Sequence, residues 1–191
     1  MKVQNIAIFA SGSGSNARKI LEYFEDRDDV DVAIIITNRK SAGVLNHARE
    51  FGVSTLRIDR PYFYNNDYIL NVLKAEKIDL IVLAGFLWLI PPYLISKFPN
   101  KILNIHPALL PKYGGKGMYG HHVHEAVKAN NEPVSGMTIH FVNENFDEGG
   151  HIFQAKCAIL PTDSANEIAA NVLKLEHTHY AEVIDKVLKG L

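Results

Sequence analysis

Five short apolar runs, each handed on to a helix-spaced segment or loop, constrain this chain more than any other feature. Ile6-Ala7-Ile8-Phe9 precedes Ala17, Ile20, Leu21 and Phe24, which stand at i, i+3, i+4 and i+7 on one helix face. Val32-Ala33-Ile34-Ile35-Ile36 leads into a helix over 44–51 that Gly52 closes. A run at 55–58 precedes a helix over 67–77, a run at 80–84 precedes a short helix after Pro91-Pro92, and 102–105 forms the fifth. The runs are near-continuous Val, Ile and Leu, the pattern of strands buried on both faces beneath crossover helices. The spacing therefore predicts an α/β chain with an open, mostly parallel, doubly wound sheet.

After His106 the rhythm changes. A loop with Gly114, Gly115, Gly117 and Gly120 precedes a helix over 123–129, and apolar runs at 137–142 and 152–159 are separated by Asn143-Glu144-Asn145-Phe146-Asp147-Glu148-Gly149-Gly150. So short a link predicts an antiparallel hairpin. A long helix from Ser164 to about Leu188 closes the chain, and Glu167 three residues after Ser164 reads as a capping box. No repeat, low-complexity tract or linker interrupts the pattern, so residues 1–191 are expected to form a single domain.

Composition removes several classes of function. The chain carries 20 Lys and Arg against 21 Asp and Glu, a net charge of −1, with no basic run to attract nucleic acid or an anionic membrane surface. Any anionic ligand must be held by local donors. The start MKVQNIAIFASGSGS has neither the form of a signal peptide nor the length of a membrane span, and Cys157 is the only cysteine, so a cytoplasmic location is expected.

Ligands of parallel sheets bind beyond the carboxyl ends of the strands, where loops converge and helix N-termini point inward. Four such exits are Ser11-Gly12-Ser13-Gly14-Ser15-Asn16, Thr37-Asn38-Arg39, Gly85-Phe86-Leu87-Trp88 and Asn104-Ile105-His106-Pro107. At the first, two glycines let backbone amides approach an anion, with Ser13, Ser15 and Asn16 as further donors at a helix start, which suits a phosphate. Gly12, Gly14 and Ala17 also satisfy G-x-G-x-x-A, so an NADP-dependent oxidoreductase stands as the alternative. The acidic residue that would take an unphosphorylated ribose is missing, since the second exit carries Asn38-Arg39-Lys40. A third reading is a catalytically silent phosphate-binding module.

Asn104 and His106 lie two apart at a strand end, so both side chains leave on one side, an amide donor beside an acid/base. Asp147 in the hairpin link reads either as a turn residue or as a carboxylate that reaches the same edge. His121-His122-Val123-His124 has no Cys or carboxylate at zinc-ligand spacing, so no metal is expected. The Gly-rich segment 112–120 reads either as a lid or as a mobile surface loop.

FASGSGSN, LAGF, NIHPALLPKY, SGMTIHFVNENFDEGG and the EH of the last helix together resemble the folate-dependent phosphoribosylglycinamide (GAR) formyltransferases of purine synthesis. The likeness runs in order through essentially the whole chain. It implies a Rossmann-like formyltransferase fold, and transfer of a formyl group from the co-substrate 10-formyltetrahydrofolate to the amine of GAR without a metal. Its implied partners are small molecules only, with a homodimer left open. By the same resemblance Asn104, His106 and Asp147 are catalytic, Gly14, Ser15, Asn16 and Glu176 hold GAR, and Leu87, Trp88, Leu89, Ile90 and Asn104 contact the folate. Leu87-Trp88 replaces the Met-Arg of well-known bacterial members, so a charged folate contact is absent at that position, and the Gly-rich loop is longer.

Overall fold

The computed structural model describes residues 3–65 and 67–191. Its strands form a seven-stranded sheet, mostly parallel with one antiparallel hairpin, and its residues group into two compact units. The first unit runs to Leu103 and takes in Gly190–Leu191, and the second is Asn104–Lys189.

The first unit contains β1 (Gln4–Phe9), α1 (Ser15–Phe24), β2 (Val30–Thr37), α2 (Val44–Glu50), β3 (Ser54–Arg57), α3 (Arg60–Tyr64), α4 (Tyr68–Ala75), β4 (Ile78–Leu83) and α5 (Pro92–Lys97). β1 pairs in parallel with both β2 and β4, and β2 pairs in parallel with β3. Strand order thus reverses at β1, and the crevice beyond the β1 and β4 exits is the position where such sheets bind ligands. Ile6, Ala7, Ile8 and Phe9 are fully buried, as the unbroken apolar run requires. Ala17, Ile20, Leu21 and Phe24 form the buried face of α1. Sequence spacing had no separate helix at 60–64; Pro61 sits in the first turn of α3, where its fixed φ favours the helix, and Phe63 is buried beneath it.

β5 (Ile102–His106) begins in the first unit and ends in the second. The second unit continues with α6 (His121–Ala129), β6 (Val134–Phe141), β7 (His151–Ala158) and α7 (Ala165–Leu188). β6 and β7 pair antiparallel, so the hairpin expectation holds. Ser164 accepts from the Glu167 N–H and Glu167 reaches back to the Ser164 N–H, which forms the capping box of α7. Inside this unit the buried Thr138 hydroxyl donates to the Ala108 carbonyl at 2.6 Å and accepts from the Leu110 N–H at 3.0 Å. β6 thereby grips the chain just beyond His106 and fixes the root of the Gly-rich loop.

Candidate active site

In the first unit the β1 exit is a tight loop built around Gly14, whose φ is +80° and whose Cβ, if present, would lie 2.6 Å from Val44 of α2. Only glycine satisfies both the left-handed backbone and the close approach. Gly14 at the N-cap offers no side-chain cap and no acidic residue stands in the first turn of α1, so the positive end of that helix faces the loop. Ser11 ties this loop to the β4 exit: its N–H donates to the Gly85 carbonyl at 3.0 Å and its hydroxyl accepts from the Leu87 N–H at 3.0 Å.

The β4 exit is aromatic. Leu87 is 44% exposed and Trp88 is half-buried, with ring centroids 5.6 Å from Phe63, 6.1 Å from Tyr64 and 6.1 Å from Phe86. The Tyr64 hydroxyl donates to the Leu89 carbonyl at 3.0 Å, and Ile90 is buried. Arg60 of α3 lays its guanidinium 5.6 Å from the Trp88 centroid and 5.9 Å from that of Tyr64. Trp88 is therefore both a packing residue and a partly open one, and a cation that sequence spacing did not single out stands over it.

The second unit brings together three side chains singled out by sequence and one that was not. His106 is 4% exposed; its Nδ1 lies 3.5 Å from Asp147 Oδ2, and its Nε2 lies 2.7 Å from the Tyr113 carbonyl. A carbonyl can only accept, so Nε2 carries a proton. The other Asp147 oxygen lies 3.6 Å from His140 Nε2, which is also 3.2 Å from Asn104 Nδ2, while His140 Nδ1 donates to the Phe141 carbonyl at 2.8 Å. That bond gives His140 its Nδ1–H tautomer, leaving Nε2 to accept one Asn104 amide hydrogen. His140 thus orients the Asn104 amide and leaves its second N–H available to a ligand. Sequence reasoning treated His140 only as part of a strand. The available signal was Thr138 and His140, polar residues two apart in an apolar run and hence on one face of β6.

Burial is the largest influence on His106 and lowers its pKa; Asp147 and the Tyr113 carbonyl work in the opposite sense but do not overcome it, and His140 adds to the lowering. Asp147 therefore acts on His106 in the expected direction, although the net shift is downward. For Asp147 itself burial raises the pKa, but the neighbouring His140 and His106 rings and the Gly115 N–H, 3.0 Å from Oδ2, outweigh it and hold the carboxyl below its ordinary value. Of the three neighbouring histidines of α6, His121 and His122 are exposed and His124 is buried, its pKa pushed down to about 4 by burial and then by His121 and His106. Among the described residues no group of three or more His, Cys, Asp or Glu is arranged to hold a metal ion.

Residues 4–184 match the family model described as formyl transferase. The chain belongs to the formyl transferase family. It is 41% identical over 190 residues to the chloroplastic phosphoribosylglycinamide formyltransferase of Arabidopsis thaliana, covering 96% of this chain but 65% of that plant protein. With the phosphoribosylglycinamide formyltransferase of Haemophilus influenzae it shares 36% identity over 193 residues, 98% of this chain and 89% of the relative. The solved structure of the phosphoribosylglycinamide formyltransferase from Anaplasma phagocytophilum superimposes with a TM-score of 0.90 at 28% identity, covering 99% of this chain and 89% of that one.

This formyl transferase places Glu176 on α7, buried beside the fully buried Tyr180, whose phenol is pushed well above its ordinary pKa by burial and by Glu176. No helix among its described residues is long and apolar enough to cross a membrane. Asp147 has a positive φ of 59°, so the turn conformation and the carboxylate contact to His106, posed as alternatives from sequence, hold together.

Proposed function

We propose that this formyl transferase moves the formyl group of 10-formyltetrahydrofolate to the primary amine of GAR, in de novo purine synthesis and in the cytoplasm, with residues 1–191 acting as one catalytic domain. The observation that carries the reading is the constellation of Asn104, His106, His140 and Asp147, joined by contacts of 3.2–3.6 Å in a chain of this family. The neutral amine attacks the formyl carbon, and the tetrahedral oxyanion takes a hydrogen bond from the Asn104 N–H that His140 leaves available. Collapse breaks the bond from that carbon to N10 of the folate. N10 leaves with a proton supplied from the His106 side, and the proton lost by the amine restores the balance. Asp147 holds the His106 ring in register and favours its charged form.

In this reading the phosphate of GAR sits on the loop Gly14, Ser15 and Asn16 at the start of α1, the ribose is contacted by Glu176, and the pterin packs against Leu87, Trp88, Leu89 and Ile90. No metal is required. Purified protein given GAR and 10-formyltetrahydrofolate should release tetrahydrofolate, followed by absorbance, whereas NADPH binding without formyl transfer would favour the oxidoreductase alternative. Membership of the formyl transferase family gives that alternative no support.

A further inference from the structure

The residues after β5 do more than connect. In the segment 112–115 the Tyr113 carbonyl takes the Nε2 proton of His106 at 2.7 Å, and two residues later the Gly115 N–H donates to Asp147 Oδ2 at 3.0 Å. One stretch of main chain therefore occupies both members of the acid/base pair. Gly114 between them makes the fit possible, because a Cβ there would lie 2.6 Å from a Leu110 methyl and 3.3 Å from the Asp147 Cβ. Tyr113 has a φ of 58°, an unfavourable conformation for a side-chain-bearing residue, so some tertiary contact must hold it. That contact is Glu132, which lies just before β6: its carboxylate accepts from the Tyr113 hydroxyl at 2.9 Å and from the Lys112 ammonium at 2.9 Å.

We infer that Glu132, acting through Tyr113, is a positioning residue that locks the main chain of 112–115 onto His106 and Asp147 and so keeps the acid/base nitrogen capped. A nitrogen whose proton is already committed to a carbonyl cannot donate to a leaving group, so the cap must come off before His106 acts. The groups that face His106 besides the cap are Asp147, His140 and, from α6, His124. None of these provides an alternative acceptor at hydrogen-bond distance from Nε2 among the contacts of the described residues. The inference rests on the proposed role of His106 as acid/base, and its test needs no substrate.

Diethyl pyrocarbonate acylates an unprotonated imidazole nitrogen, and mass spectrometry assigns the product to a residue. In the wild-type protein at pH 8, His106 should react slowly while the exposed His121 and His122 serve as internal standards. Tyr113→Phe and Glu132→Ala each cut the same strut and should speed acylation of His106 by about tenfold, the size of losing one charge-assisted hydrogen bond. The double variant should go no faster than Glu132→Ala alone, because that change already removes the Tyr113 contact along with the Lys112 one. Imidazole nitrogen spectra supply a second reading: wild-type His106 should show a fixed Nε2–H tautomer that becomes averaged in both variants, with the shifts of His121 and His122 unmoved. Unchanged acylation of His106 in both folded variants, or a wild-type His106 without the Nε2 proton, would overturn the inference. Loss of formyl transfer to GAR in the wild type, with these readings intact, would instead count against the substrate assignment.

Discussion

At the scale of single residues, His106 shows two opposed influences with one outcome. Burial holds the ring toward its neutral form, and Asp147 restores part of the tendency to hold a proton. Removing the carboxylate charge in Asp147→Asn leaves only the Tyr113 carbonyl to oppose burial, so the His106 pKa should fall further and the alkaline limb of the pH–rate profile should move to lower pH. Turnover should drop by ~10²–10⁴, the loss typical of an acid/base group deprived of its partner, with little change in GAR affinity. A near-normal rate with an unmoved pH profile would show that His106 acts without Asp147. Trp88, the only tryptophan, gives a second readout, since it is half-buried at the exit assigned to the pterin. Its fluorescence should be quenched by a folate analogue and not by GAR alone; an unchanged signal at saturating folate would place the pterin elsewhere.

The elements supply what no single residue does: a loop that fits against a helix, and a helix N-terminus that opens onto that loop. Gly14 joins β1 to α1 in a left-handed conformation while touching α2. Gly14→Ala should therefore cost about 1–3 kcal/mol in urea unfolding from backbone strain alone, and the contact with Val44 should displace the loop as well. Asn16→Leu removes a polar group from the first turn of α1 without that strain, so it should raise the GAR KM with kcat nearly preserved. Were the folate KM to rise instead, the loop would belong to the other substrate.

For the molecule as a whole, buried histidines tie stability to pH. The His124 pKa is about 4 in the folded protein against an ordinary value of 6.5, so between those values the unfolded chain binds the extra proton and the folded one does not. Stability should therefore fall as pH drops through that window, by up to roughly 3 kcal/mol from this residue, and His106 adds in the same direction. Urea midpoints at pH 7 and pH 4.5 should differ less in His124→Phe, which has no proton to take up, than in the wild type. Equal differences in the two proteins would mean that His124 is not the group responsible.

The spacing of apolar side chains determined where most strands and helices lie, because each periodic face is a local property of a few consecutive residues: Ala17 to Phe24 on α1, Ile6 to Phe9 in β1 and the Ser164 box on α7 are all legible within a dozen positions. Residue chemistry likewise marked Gly14, Asn104, His106 and Asp147 as candidates, the last with its role open. Tertiary structure alone decided the partners. His140 meets Asn104 from 36 residues away, the Gly115 N–H meets Asp147 from 32, and Tyr113 turns its carbonyl onto His106 because Glu132 holds its hydroxyl 19 residues further on. Such contacts depend on how β6 and the loop after β5 fold back within the second unit, which no local pattern records. The direction of the His106 shift belongs to the same class, since it depends on how completely the surrounding side chains exclude water from one ring.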